Sequence, residues 1–254
     1  MLTLKSARKL LAIIADTVTV TLVPGYCQLC QAPSVKPLCC DCYNELPRQD
    51  NILQNCSICD IALDGKQKLS GTPLCKQCRE HPPSFDKVIC AFSFEFPLST
   101  LINRIKHQRQ SYWLAILTDA LVIRIEQYYQ GSYPEVLMPM PIHWRRRFSR
   151  GFNQTELIAN ALAQKIPITI SDDIKKHQHT KPQQKLSRDE RMTNLLGCFT
   201  VNADVENKQV VIVDDVVTTG TSVDYLAQVL KAHGAKSVDV WALARTPSAY
   251  SGRQ

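Results

Sequence analysis

No stretch of this 254-residue chain reaches the ~20 consecutive apolar residues that a bilayer-spanning helix needs, so no transmembrane segment is predicted. Cysteine is nearly absent beyond residue 90, where only Cys198 remains of eleven. A disulfide framework spread over the whole chain is thereby excluded, and a reduced, cytoplasmic setting is expected. The Gly-Lys-Ser/Thr of a Walker loop is missing from the Gly/Thr turn at 218–222, which excludes that kind of phosphate site there. No low-complexity tract is present, and paired cysteines are the only internal repeat. Leu10–Val23, preceded by Lys5, Arg8 and Lys9, looks faintly like a secretion signal. Asp16 and three Thr interrupt it, however, and no small-residue cleavage site precedes Cys27. The expectation for residues 1–25 is an amphipathic helix that ends at Pro24-Gly25.

What the chain does have, first, is cysteine in pairs. Ten of the eleven fall between Cys27 and Cys90, and eight form Cys27-x2-Cys30, Cys39-x2-Cys42, Cys56-x2-Cys59 and Cys75-x2-Cys78. Each pair can present two thiolates to one side of a metal, and zinc takes four such ligands tetrahedrally, so eight suit two ions. Sequential pairing and an interleaved, cross-braced arrangement both satisfy the spacing. Four thiolates per ion leave no open coordination position, so these sites are expected to be structural. A module this small lacks a core and should be largely unfolded without metal. Cys40 lies inside a pair and reads as a spare, Cys90 and Cys198 read as core residues, and His81 reads as a surface residue. Residues 26–81 are therefore expected to form a double zinc ribbon.

Pro82-Pro83 marks a boundary, beyond which the pattern becomes α/β. Strands are predicted over Val88–Phe96, Val136–Pro141, Val210–Asp215 and Ser237–Leu243. Helices are predicted over Pro97–His107, Tyr112–Tyr129, Gln154–Gln164 and Ser222–His233, with Gly234 at the position of a helix C′ glycine. A strand, a helix and a strand at the last spacing imply a parallel crossover. Residues 85–247 are thus expected to form a mainly parallel, twisted sheet with helices on both faces. Hydrophobic residues at 44% suffice for a core, and a net charge of +7 favours phosphate-rich ligands or nucleic acid.

Residues 210–222 carry the most chemistry. A β-branched run ends in Asp214-Asp215; Val216 and Val217 then lead to Thr218, Thr219, Gly220, Thr221 and Ser222, where a helical pattern starts. Backbone N–H groups and hydroxyls at a helix N-terminus suit a phosphate. Adjacent carboxylates at a strand's carboxyl end can accept from sugar hydroxyls or hold a hydrated metal. The run resembles the phosphoribosyl-pyrophosphate (PRPP) signature of type I phosphoribosyltransferases. That resemblance implies that Asp214 and Asp215 contact ribose and serve as the catalytic acids. It also implies that 218–222 wrap the 5′-phosphate, with Mg²⁺ accompanying PRPP.

Two further segments are basic. His143 to Gln154 holds four Arg in six positions, with Trp144 and Phe148 among them, directly after a strand; bidentate phosphate binding or base stacking would use such residues. Arg146, Arg147 and Arg150 are the candidates for pyrophosphate. The polar segment His177–Phe199 reads as a lid over the same group, with Lys181, Gln183, Arg188 and Arg191 as candidates.

The order of cysteine pairs, Arg150-Gly151-Phe152-Asn153-Gln154, then Gln183, Leu186, Arg191, Asn194 and Phe199, then 211–222, resembles the ComF/GntX family. The resemblance implies a phosphoribosyltransferase-like fold and a part in natural competence or use of external DNA, with the DNA-uptake machinery as a partner. It does not imply a particular acceptor. The alternative is a single-stranded nucleic-acid-binding accessory protein, built on the zinc ribbons and the Arg/aromatic segment, with a non-catalytic PRPP pocket.

Overall fold

The computed structural model describes residues 25–50, 52–63, 72–108, 112–141, 152–176 and 199–247. The expected helix over 1–25 lies outside them. The chain divides into two compact units, Met1–Leu46 and Pro47–Gln254, so the boundary falls between the two cysteine groups.

Among the described residues, the first unit holds one short helix, α1 (Cys40–Asn44). The second runs in order through α2 (Lys76–Glu80), β1 (Lys87–Ser93), α3 (Leu98–Gln108), α4 (Tyr112–Tyr129), β2 (Val136–Pro139) and α5 (Gln154–Ala163). It continues through β3 (Thr169–Ile170), β4 (Ile174–Lys176), β5 (Phe199–Val201), β6 (Gln209–Val217), α6 (Thr221–Ala232) and β7 (Ser237–Arg245). Five strands make one sheet in the order β1-β7-β6-β2-β3, and every pairing in it is parallel. β4 and β5 form a separate antiparallel pair that brackets residues 177–198.

β-branched composition explains the centre. β6 and β7 are nine residues each and read as nearly continuous apolar runs, as expected of strands covered on both faces. Side chains alternate across a strand. Val88 and Cys90, Val136 and Met138, Val210 and Ile212, and Val238, Val240 and Ala242 therefore share one face. They form one cluster with Val223, Leu226 and Leu230 of α6. Cys56, Cys59, Leu63 and Cys78 join the same cluster, so the second cysteine group packs on the sheet face that α6 also covers. α4 packs against β1 and β7, and its last residue, Tyr129, bonds through its hydroxyl to Asp239 and accepts from Trp241 Nε1 at 3.3 Å.

The predicted strands and helices between residues 85 and 247 agree with observed ones to within a few residues, whereas β3, β4 and β5 have no predicted counterpart. The instructive difference lies in β6, which runs two residues past the acidic pair, because Val216 and Val217 still pair with Ala244 and Arg245. Gly234 closes α6 with φ 89°, a left-handed conformation that an L side chain would strain.

The second cysteine group is tied to the sheet by a buried ion pair. Asp60, the residue after Cys59, is 5% exposed and left-handed (φ 53°). Its carboxylate accepts from Asn55 Nδ2 at 2.9 Å, from the Cys90 amide of β1 at 2.7 Å, and from Arg124 Nη2 of α4 at 3.2 and 3.3 Å. Arg124 Nε donates in turn to the Cys90 carbonyl at 3.2 Å. Burial pushes the Asp60 carboxyl upward, and Arg124 opposes that push. Removing one member of such a pair leaves the other charged and buried, which costs about 3–5 kcal/mol. Asp60→Ala should therefore lower unfolding stability by about that much, read as a fall in the urea midpoint. A change below about 1 kcal/mol would show that the pair does not hold the knuckle to the sheet.

Candidate functional site

The cysteines assemble as two sequential sets, Cys27/Cys30/Cys39/Cys42 and Cys56/Cys59/Cys75/Cys78, with each set's sulfurs within 4.8 Å of one another. Of the two pairings open to the spacing, the fold adopts the sequential one. Both sets are built alike. The first pair sits in a knuckle: the Cys27 carbonyl accepts from Gln31 N at 2.8 Å, and the Cys56 carbonyl from Asp60 N at 2.9 Å. Gln31 and Asp60 both turn left-handed there, at φ 63° and 53°. The second pair opens a helix, where the thiols of Cys39 and Cys75 accept from Cys42 N at 3.5 Å and Cys78 N at 3.4 Å.

Sulfur spacing fits a tetrahedral ion. A Zn–S bond of about 2.3 Å implies an S···S edge of about 3.8 Å. Cys30–Cys39 and Cys59–Cys75 are each 3.7 Å apart. The electrostatics point the same way. Hydrogen bonds from Cys59, Cys75 and Cys78 hold the Cys56 thiol far below its ordinary range, while hydrogen bonding with Cys56 drives Cys59 and Cys78 far above theirs. In the first set, amide bonds from Cys30, Cys39 and Leu29 outweigh burial and bring Cys27 to about 6, while burial pushes Cys42 up. The first set thus holds a lowered thiol at Cys27 beside raised ones at Cys30 and Cys42, and the second holds lowered thiols at Cys56 and Cys75 beside raised ones at Cys59 and Cys78. A divalent cation removes that conflict, and the donor set suits zinc. Cys40 is exposed outside the first set, Cys90 is fully buried in the sheet core, and His81 is exposed. Cys198 lies outside the described residues.

The acidic pair and the loop lie at the carboxyl end of β6. Asp214 and Asp215 are half-buried, and Asp215 N donates to Asp214 Oδ1 at 2.8 Å. Thr218, Thr219, Thr221 and Ser222 are exposed among the described residues. Thr219 and Thr221 hydroxyls bond each other at 2.9 Å. Gly220 precedes α6 at φ 79° and supplies no side-chain cap. The first turn of a helix has amides without intrahelical partners, and these, with the helix dipole, attract an anion.

Neighbouring elements frame that edge. Met140 N donates to the Val213 carbonyl at 2.8 Å. Asn153, the N-cap of α5, donates from Nδ2 to the Met140 carbonyl at 3.3 Å, and Thr155 Oγ1 donates to the same carbonyl at 2.8 Å. The chain therefore leaves and re-enters the described structure beside β6, on either side of 142–151. Arg146, Arg147 and Arg150 fall in that segment, and Lys181, Gln183, Arg188 and Arg191 in 177–198; all seven lie outside the described residues.

Three residues that sequence reasoning passed over belong to the site. Arg245, last in β7 and 6% exposed, donates from Nε to the Cys59 carbonyl at 3.0 Å. Its Nη1 donates to the Val217 carbonyl at 2.9 Å and to the Thr218 carbonyl. Ser84 N donates to Asp224 in the first turn of α6, and the Phe85 ring lies beside Gly220. A cavity of about 400 Å³ is bounded by Cys59, Cys75, Cys78, Thr219, Gly220 and Arg245. The one signal available for Arg245 was a charge ending an otherwise apolar strand. Its role follows from the register that sets it opposite Val217.

Purified under reducing, chelator-free conditions, the protein should carry two zinc ions per chain by elemental analysis, one for each cysteine set. Cys56→Ser should reduce the count to one. Wild-type protein with no metal would overturn the assignment.

A model of the phosphoribosyl transferase domain matches residues 151–253. The DNA utilization protein YhgH of Escherichia coli K12 is 32% identical over 88% of this chain and 98% of its own length. Competence protein F of Haemophilus influenzae is 32% identical over 67% of this chain and 78% of its own. Competence protein ComFC of Bacillus subtilis is 30% identical over 45% and 47%. The parallel sheet with its helices agrees with the match to a phosphoribosyl transferase domain. The chain belongs to the ComF family of phosphoribosyltransferase-like proteins.

Proposed function

We propose that the chain binds PRPP with Mg²⁺ at the carboxyl end of β6 and serves in competence or DNA utilisation. The observation that carries this reading is the half-buried Asp214-Asp215 pair running directly into an exposed, glycine-hinged Thr loop at the start of α6. The carboxylates accept hydrogen bonds from the two ribose hydroxyls. The amides and hydroxyls of Thr218, Thr219, Gly220, Thr221 and Ser222 hold the 5′-phosphate. Mg²⁺ accompanying PRPP offsets charge on the pyrophosphate oxygens, and hard carboxylate oxygens such as those of Asp214 and Asp215 suit it, directly or through water.

Arg146, Arg147 and Arg150 meet the pyrophosphate, because bidentate guanidinium donors match its oxygens. Lys181, Gln183, Arg188 and Arg191 close over it and keep water from the ribosyl carbon. If transfer follows, the departing pyrophosphate gathers charge, and cations already in place lower that barrier. Asp215 is then the candidate base for an acceptor. The chain's own cysteine chemistry supports a reducing, cytoplasmic setting.

The names of the relatives and a net charge of +7 support a contact with single-stranded DNA as well, through the Arg/aromatic segment. Phosphate contacts release counterions, so such binding should weaken steeply as salt rises.

Asp214→Asn combined with Asp215→Asn should weaken PRPP–Mg²⁺ binding at least about a hundredfold, since each charged hydrogen bond is worth roughly 1.5–3 kcal/mol. Calorimetric titration gives the affinity, and circular dichroism checks that the variant is folded. A folded double variant that binds PRPP as the wild type does would refute the site.

A further inference from the structure

Arg245 is a buried cation whose acceptors among the described residues are main-chain carbonyls: Cys59, Val217, Thr218 and, at 3.3 Å, Thr246. A guanidinium held away from water without a carboxylate is costly. One source of compensating negative charge is the cysteine set to which Cys59 belongs, whose Cys59, Cys75 and Cys78 line the same cavity as Arg245 and Asp224. Four thiolates around one divalent ion carry a formal charge of −2, that is 4 × (−1) + 2. The same guanidinium reaches the two residues that open the phosphate loop. It therefore joins that loop to the carbonyl of a metal ligand that lies 186 positions from Arg245 in sequence.

Few other groups can perform this task. The loop lies along the wall of the cavity it shares with Cys59, Cys75 and Cys78, and is not packed flush against the knuckle. Among the described residues, two further ties to that side are the Ser84 amide on Asp224 and the Phe85 ring beside Gly220. Both of these act on Gly220 or on the helix behind it. Arg245 donates to both the Val217 and the Thr218 carbonyls, where the Val217 carbonyl also accepts from the Thr246 amide at 3.0 Å, and so it bears on the angle at which the loop leaves β6.

We propose that Arg245 is a positioning residue which fixes the phosphate loop to the second cysteine set, so that metal occupancy of Cys56/Cys59/Cys75/Cys78 governs affinity for a sugar phosphate. The ligand class rests on the PRPP reading above; the mechanical coupling does not. A shell that orients binding groups characteristically changes affinity about 10–100-fold when it is lost. A loop that spends less time in the binding-competent form lowers apparent affinity in proportion.

The test uses the full-length, zinc-loaded protein. Arg245→Lys keeps the charge, but a single ammonium cannot serve the Cys59 carbonyl and the loop carbonyls together. The variant should retain two zinc ions. Amide hydrogen exchange over 217–223 should rise about tenfold or more, while 211–213 and 240–243 stay protected, and the Kd for PRPP–Mg²⁺ should rise about 10–100-fold. Wild type stripped of zinc by a chelator should show the same local rise, which decides the matter if Arg245→Lys does not fold. Unchanged exchange over 217–223 in the stripped wild type or in a folded variant would overturn the proposal, as would equal PRPP affinity across wild type, variant and stripped protein. If the wild type does not bind PRPP but the loop still responds, the ligand reading fails and the positioning role stands.

Discussion

The parallel pairing of β6 with β7 is the constraint on which the rest depends. Eight residue pairs match the two strands from Gln209↔Ser237 to Val217↔Arg245. Because both faces of these strands are covered, a slip of one residue would turn every apolar side chain to the wrong face. The register is therefore tightly held, and it sets three things side by side at one edge: the acidic pair, the first carbonyls of the Thr loop, and the guanidinium of Arg245. Backbone geometry there is a consequence of core packing many residues away.

The second cysteine set is an extension of that same core. Cys56, Cys59 and Cys78 share a buried cluster with α6 and with one face of the sheet. Asp60 then anchors the knuckle through Arg124 and the Cys90 amide. The left-handed turn that closes a knuckle recurs at Gln31 and Asp60, but Asp60 carries a buried carboxylate beyond it. A metal that organises Cys56 to Cys78 consequently contributes to the surface on which α6 and its loop rest. The first set repeats the local design within its own unit.

Much of this was legible in the sequence because the signals are local. Two-residue gaps between cysteines announce knuckles. β-branched runs announce buried strands, and Gly234 announces the end of α6 at the residue where the chain turns left-handed. The Asp-Asp and Thr-Thr-Gly-Thr order announces a strand end that runs into an exposed loop and a helix start, because carboxylates, hydroxyls and a left-handed glycine follow one another there. Other features were illegible for an equally physical reason. The extra length of β6 depends on a partner strand, since Val216 and Val217 are held by Ala244 and Arg245. The basic segments show no periodicity from which a position could be argued.

The sequence by itself determined which residues can bind metal, which can bind phosphate, and that a parallel α/β sheet carries them, because each of these properties resides in a few neighbouring side chains or in a short repeat. Only the tertiary structure decided how the eight cysteines divide, that Asp60 finds Arg124, and that Arg245 joins the Cys59 carbonyl to the loop. These are pairings between groups far apart along the chain, and they exist only once the sheet register and the burial of its faces have brought those groups within hydrogen-bonding distance.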